Sequence, residues 1–255
     1  MKLFTSLINT IKEHFRLKLI ICFILCAILP LLILGTISYK ISYNIAKDKI
    51  LKETAISCEK NQHLLENRMT QIENLEDSIH FNLCMLCTTA EQPMSNYLDK
   101  LSAVRNNIAS IADSFNIYHV NIFLPDDSFA SKEGLTFCSL SDLKKYKVQL
   151  SDFSKQGLTP NWIFRKDINF PYMVSKGEEP SGVLSCYRYA KINSQKTCLA
   201  VHITSEELSN YLNTFSEGNP SLSYIINSEG VVLSSTDKKQ IGGSLSNEKL
   251  HAITQ

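Results

Sequence analysis

Residues 19–39 form a run of 21 without one charge, closed by Lys18 before it and Lys40 after it. At about 1.5 Å per helical residue the run spans about 31 Å, matching the hydrocarbon core of a bilayer at roughly 30 Å. Nothing later in the chain repeats it. From Ile41 to Leu86 there is neither proline nor glycine, and the apolar positions step by three and four. Leu65, Met69, Ile72, Leu75, Ile79, Leu83 and Leu86 make one stripe, separated by charged and amide residues. The pattern predicts a long helix continuous with the apolar run, its more polar first part (Ile41, Ile45, Ala55) forming a stalk. Residues 88–93 break it, and Pro93 suits the first turn of a second helix. That helix carries the stripe Leu98, Leu101, Val104, Ile108, Ile111 and Phe115.

Beyond this point the period shortens to that of strands. Residues 117–124 (IYHVNIFL) are β-branched and aromatic, and Pro125-Asp126-Asp127 ends them as a turn. Residues 135–140 read as a short extended segment, and Ser141-Asp142 opens a polar helix over 141–155. Strand-like pieces follow at 162–168, 182–192 and 197–203, with turn chemistry at 177–180 and Asn193-Ser194. Thr204 as N-cap with Glu207 three positions on is the pattern of a capping box. The helix it starts is expected to reach Phe215 and stop at Gly218-Asn219-Pro220. Residues 222–227 and 231–235 flank Ser228-Glu229-Gly230, a hairpin signal. Helices first and clustered antiparallel strands afterwards predict an α+β fold. A terminal hairpin followed by about 20 residues cannot bury its own apolar face, so these strands are expected to begin a second β unit that the given sequence does not complete.

The apolar run also has to be weighed as a cleaved signal peptide. Signal cores are shorter, at roughly 7–15 residues, and end at a small-x-small site. Thr36-Ile37-Ser38 is a poor match, and neither Cys22 nor Cys26 follows a small residue as lipoprotein processing would require. A retained transmembrane helix is the expectation, with Pro30 tolerated in lipid as a kink. Charge does not orient it: Lys2, Lys12, Arg16 and Lys18 before the run balance Lys40, Lys47, Lys49 and Lys52 after it.

Composition narrows the function classes. Of the 26 Lys+Arg and 25 Asp+Glu, residues 40–255 hold 22 and 24 respectively. That near-neutral balance offers no basic field for nucleic acid. Ten tyrosines and twelve phenylalanines supply material for a real core. Cys58, Cys84, Cys87, Cys138, Cys186 and Cys198 lie outside the apolar run. Six thiols would allow three bridges, but their spacing follows no small disulfide scaffold, and buried free thiols are expected.

The order of segments now carries a resemblance. A short tail, a membrane helix and a long helix precede IYHVNIFLP, then NWIF, GVLSCYRYAKI, KTCLAVHIT and SEELSNYL, then YIINSEGVVLSS with KKQIGGSL. Over about residues 10–250 this resembles the double Cache extracytoplasmic sensor region of YesM-type bacterial sensor histidine kinases. The resemblance implies a cytoplasmic tail at 1–18, a transmembrane helix at 19–39, and a helical stalk with packing helices at 40–116. A membrane-distal, PAS-like Cache subdomain with an antiparallel sheet follows at 117–215, and the beginning of a membrane-proximal one at 216–255. It further implies an outward-facing sensor for a small-molecule ligand or other extracellular cue, a homodimer in the cell membrane, and a second membrane helix, HAMP linker and kinase core downstream. A response regulator would be engaged through that kinase region.

No catalytic role is expected within the chain itself. None of His14, His63, His80, His119, His202 and His251 lies in the Pro-His-Phe box of a phosphoacceptor, and Gly242-Gly243 alone reads as a turn. His80, Cys84 and Cys87 share one helical face and could hold a metal only with a fourth ligand. Packing is the simpler reading, and no metal or cofactor is assigned. For ligand binding, Trp162, Tyr172, Tyr187 and Arg188 stand among the strands of the distal subdomain, where aromatics and one guanidinium suit a pocket for a small carboxylate. The competing reading puts Trp162 in the core and Arg188 outward on a strand. The arginine-tryptophan-tyrosine-aspartate signature of amino-acid-binding Cache domains is not evident. A rival for the whole chain is a membrane-anchored envelope binding or interaction protein without kinase output. A further variant is the sensor of a chemoreceptor or cyclic-dinucleotide enzyme.

Overall fold

The computed structural model describes residues 15–87, 94–146, 160–166, 179–192, 195–212 and 223–245. The expected break at 88–93, Tyr172, the turns at 177–178 and 193–194, most of the 141–155 segment and the stop at 218–220 lie outside the described residues. The chain divides into two compact units, Met1–Cys58 and Glu59–Gln255.

Helix α1, Phe15–Cys87, is uninterrupted over 73 residues and carries Pro30 inside it. In the first unit its apolar side chains are turned outward all round: Phe23 is 74% exposed and Leu31 69%. A helix that is apolar on every side is either the core helix of a protein or a membrane span, and here these side chains are not buried among the described residues. By length and composition it is able to cross a membrane. Thr36 Oγ1 donates back to the carbonyls of Leu32 and Ile33, both at 2.9 Å, so the one hydroxyl of that stretch with a described bond is satisfied within the helix.

In the second unit the same helix shows one stripe instead. Ile72, Leu75, Ile79 and Leu83 are buried, with Leu65 and Met69 packed against the same cluster. Full burial of each such side chain contributes about 1.5–3 kcal/mol. Helix α2, Met94–Ser114, gives Ile108 to this core and Leu101, Val104 and Ile111 to its edge. Leu98 and Phe115, the two ends of its expected stripe, are exposed.

The strands are β1 (His119–Leu124), β2 (Phe137–Ser139), β3 (Asn161–Arg165), β4 (Val183–Ile192) and β5 (Gln195–Thr204). They form one sheet in the order β2-β1-β5-β4-β3. The expected all-antiparallel sheet is corrected here: β2 runs parallel to β1, pairing Ile122 with Phe137 and Leu124 with Ser139. A parallel neighbour requires the chain to cross back to the start of the first strand. Residues 125–136 do so, through the turn at Pro125 and a 3₁₀ turn at Ala130–Lys132. The polar helix expected from Ser141 is also corrected: it is 3₁₀ over Leu140–Tyr146. Short helix α3, Ser205–Ser209, follows β5 directly.

Both faces of the sheet are covered, by the alternation that a pleat imposes. Val120, Ile122, Leu184, Cys186, Leu199, Val201 and Ile203 pack with α1, whereas Phe123, Tyr187, Cys198 and Ala200 face the other way with Leu143. The hairpin of β6 (Tyr224–Ile226) and β7 (Val232–Ser235) answers the problem of its unburied face by using the same core: Leu233 and Ile225 join the α1 cluster. Ser205 Oγ donates to Leu233 O and Ser234 Oγ to Ser205 O, both at 2.7 Å. Its turn needs Gly230, at φ 77°, while Asn227 Oδ1 accepts from the amides of Glu229 and Val231.

Candidate functional site

Two arginines fasten α1 to the rest of its unit, one reaching from the sheet and one reaching out of the helix. Arg188 lies on β4, and position 188 shares the α1-facing side with 184 and 186. Its Nε donates to Glu76 Oε2 at 3.3 Å, Nη2 donates to Glu73 O at 3.3 Å, and Nη1 pairs with Asp77. Trp162 on β3 is directly opposite Cys186 and donates its indole N–H to Glu73 Oε1 at 2.9 Å. Glu76 is fully buried, and burial outweighs the attraction of Arg188 to push its carboxyl up to about 7. The neighbouring Cys186 thiol is raised by its own burial and then by Glu76's charge.

The second fastening starts at Arg68 of α1, which is buried. One guanidinium nitrogen donates to Phe115 O and also to Glu207 Oε1, the latter at 3.3 Å. Phe115 stands where α2 ends. Asn116 takes the left-handed conformation there (φ 49°), Ile117 N donates to Ala112 O at 2.7 Å, and Asn116 N to Asp113 O at 3.3 Å. This is a Schellman-type cap, with asparagine in the place glycine usually holds. Arg68 therefore supplies a donor and a positive charge to the carbonyl end of α2, where both are favourable. Glu207 also holds Asn116 Nδ2, so its carboxylate does not return to the Thr204 amide. Only half of the expected capping box forms: Thr204 Oγ1 accepts from Glu207 N at 3.1 Å.

Glu207 and Asn116 also line a cleft of about 590 Å³, together with Tyr118, Glu179, Glu206 and Lys238. Its volume is that of a small-molecule site. Burial and then the charges of Glu179 and Glu206 raise the Tyr118 phenol, which keeps it a neutral donor. A solute entering here meets Glu207, the residue that holds Arg68 of α1.

On the far face of the sheet His202 is the centre of a neutral chain. Asn121 Nδ2 donates to Leu135 O at 2.7 Å, which leaves Oδ1 to accept from His202 Nε2 at 3.0 Å. Nδ1 then accepts from Ser185 Oγ at 2.7 Å. Burial, and secondarily the neighbouring His119, hold the His202 pKa well below the usual histidine value. The serine-histidine-asparagine order evokes a hydrolase, but Ser185 and His202 are both fully buried and no substrate carbonyl can reach them.

Of the ligand-contact candidates, Trp162 and Arg188 meet at Glu73 of α1, and Tyr187 does not join them. Trp162 and Arg188 are held by carboxylates of α1, Tyr187 is buried on the opposite face in an edge-on contact with His202 (ring centroids 6.0 Å), and Tyr172 is outside the described residues. His80 and Cys84 do approach, at 3.9 Å, but among the described residues no cluster of three metal-binding side chains occurs. Cys58, Cys84, Cys138, Cys186 and Cys198 are free thiols. Arg68, Glu76 and Glu207 escaped the sequence reading as site residues. The available signal for Glu76 was its spacing, four after Ile72 and three before Ile79, which puts a carboxylate on the apolar stripe. No protein-family model matches the chain, and no curated protein matches it either.

Proposed function

We propose that this chain is the ligand-sensing, signal-transducing part of a membrane-bound two-component sensor histidine kinase, with Cache-type architecture and its bulk outside the cytoplasm. The observation that carries the reading is α1: one unbroken helix holds the uncharged 19–39 run and, further on, the seam of Ile72, Leu75, Ile79 and Leu83 beneath the sheet. A sensor needs an element shared by the input domain and the membrane, and α1 has both compositions.

In this reading the stimulus enters the cleft beside Tyr118 and Glu207. Arg188 and Trp162 act as couplers of the sheet to α1, a role different from the direct ligand contact expected of them. A ligand that draws Glu207 away from Arg68 shifts the balance between two packings of α1. Such a switch requires the two to lie within a few kcal/mol of each other. The working unit is a homodimer, and the response regulator is met by a kinase region encoded further along the gene.

The reading frame beyond codon 255 tests this directly. A second apolar run followed by a Pro-His-Phe phosphoacceptor box is the expected result. A stop codon soon after the hairpin would overturn the kinase assignment in favour of an envelope binding protein, and a methyl-accepting or cyclic-dinucleotide output would keep the sensor and replace the kinase.

A further inference from the structure

Glu76 is an acid placed inside an apolar seam, one turn from Ile72 and one from Ile79, with no exposed surface. Only one of its oxygens is partnered. Oε2 accepts from Arg188 Nε at 3.3 Å and from Cys186 Sγ at 3.4 Å, while Oε1 is buried with no hydrogen-bonding partner. Arg188 divides its donors among Glu76, Asp77 and the Glu73 carbonyl. The groups that bear on Glu76 are Glu73 and Asp77 from α1, Arg188 and Cys186 from β4, and Cys198 from β5; Trp162 of β3 adds an indole donor on Glu73. Two carboxylates, Glu76 and Asp77, share one guanidinium, and the charge of Glu73 adds to theirs. A carboxylate held on one oxygen by two long contacts, with its other oxygen dry, is poorly compensated, whereas the same group carrying a proton is a neutral acid that is far less costly to bury.

We propose that Glu76 is a proton-operated latch between α1 and the sheet, closed when the carboxyl is neutral and loosened when it ionises. The closed seam holds the carboxyl at about 7 against an ordinary value of 4.5. Opening therefore releases a proton between those two values. The latch is fully favourable below pH 4.5, loses up to about tenfold in its closing equilibrium per pH unit above that, and levels off past about 7. The device responds to acidity and goes beyond the ligand reading; it stands whether or not the chain serves a kinase.

The test is amide hydrogen exchange of residues 72–83 in the full chain in lipid nanodiscs, from pH 5 to 8, corrected for intrinsic exchange. Opening of the wild-type seam is expected to rise by up to about tenfold per pH unit and to level near pH 7, and E76Q is expected to remove that slope. Seam protection independent of pH, or a wild-type slope retained in E76Q, overturns the latch. Should E76Q not fold, carbon-13 NMR of the wild-type protein labelled at glutamate Cδ decides. One carboxyl titrating near 7 supports the latch; all of them titrating in the ordinary range overturns it.

Discussion

The five-stranded sheet buries a polar group on each face, and the two are accommodated in opposite ways. On the far face His202 is neutral and both ring nitrogens are used, by Ser185 and Asn121. On the α1 face Glu76 has one oxygen paired with Arg188 and the other dry. The first arrangement is closed, since moving any member leaves a buried donor or acceptor unpaired. The second is open to change by one proton. The contrast separates a part of the fold built to stay in place from a part able to give way, and the yielding part lies against the helix that leads to the apolar run.

Removing the cation is expected to expose this difference most strongly. Arg188→Ala strands Glu76 beside Glu73 and Asp77, and chemical denaturation of the full chain in micelles should register a loss of roughly 3–5 kcal/mol. The loss should be larger at pH 8 than at pH 5, because without Arg188 the carboxyl keeps its proton to higher pH. An equal loss at both values would mean that Glu76 does not titrate in this range. Ile72→Ala tests the seam without touching charge and should cost roughly 2–5 kcal/mol at every pH; wild-type stability would remove Ile72 from the core.

His202→Gln leaves one of Ser185 and Asn121 without its partner, at about 1–3 kcal/mol near pH 7.5. The wild-type protein should lose stability as pH falls below the ordinary histidine value of 6.5, because the unfolded chain takes up a proton that the folded His202 refuses. That sign is opposite to the one for Glu76, and the variant should lack it. Thr204→Ala removes the donor's partner at the α3 N-terminus and should cost about 0.5–2 kcal/mol. The exposed Lys49–Glu53 pair is the control, and Lys49→Ala should change stability by less than about 0.5 kcal/mol.

How much of this was legible depends on whether a feature is local. The apolar run, the stripe expected from Leu65 to Leu86 and the strands on either side of the 228–230 turn are periodic patterns. The run lies in a helix, the stripe is buried from Ile72 to Leu83 with Leu65 and Met69 at its edge, and the strands form at 224–226 and 232–235. The parallel placement of β2 beside β1 depends on a crossover, which no local period records. Trp162 and Arg188 drew attention for their chemistry, but their partners Glu73, Glu76 and Asp77 lie about 90 to 110 positions earlier. For the same reason the tie from Arg68 to Glu207, 139 residues apart, left no trace in the sequence. Glu207 fitted a capping box by spacing, and a longer-range bond to Arg68 and Asn116 took its carboxylate away.

The central claim, a membrane helix with the sensing fold outside the cytoplasm, is tested most directly by topology reporters fused after Ser57 and after Gln255. A reporter active only outside the cytoplasm should be active at both positions, and a cytoplasm-restricted one silent at both. A cytoplasmic signal at either position would contradict the account.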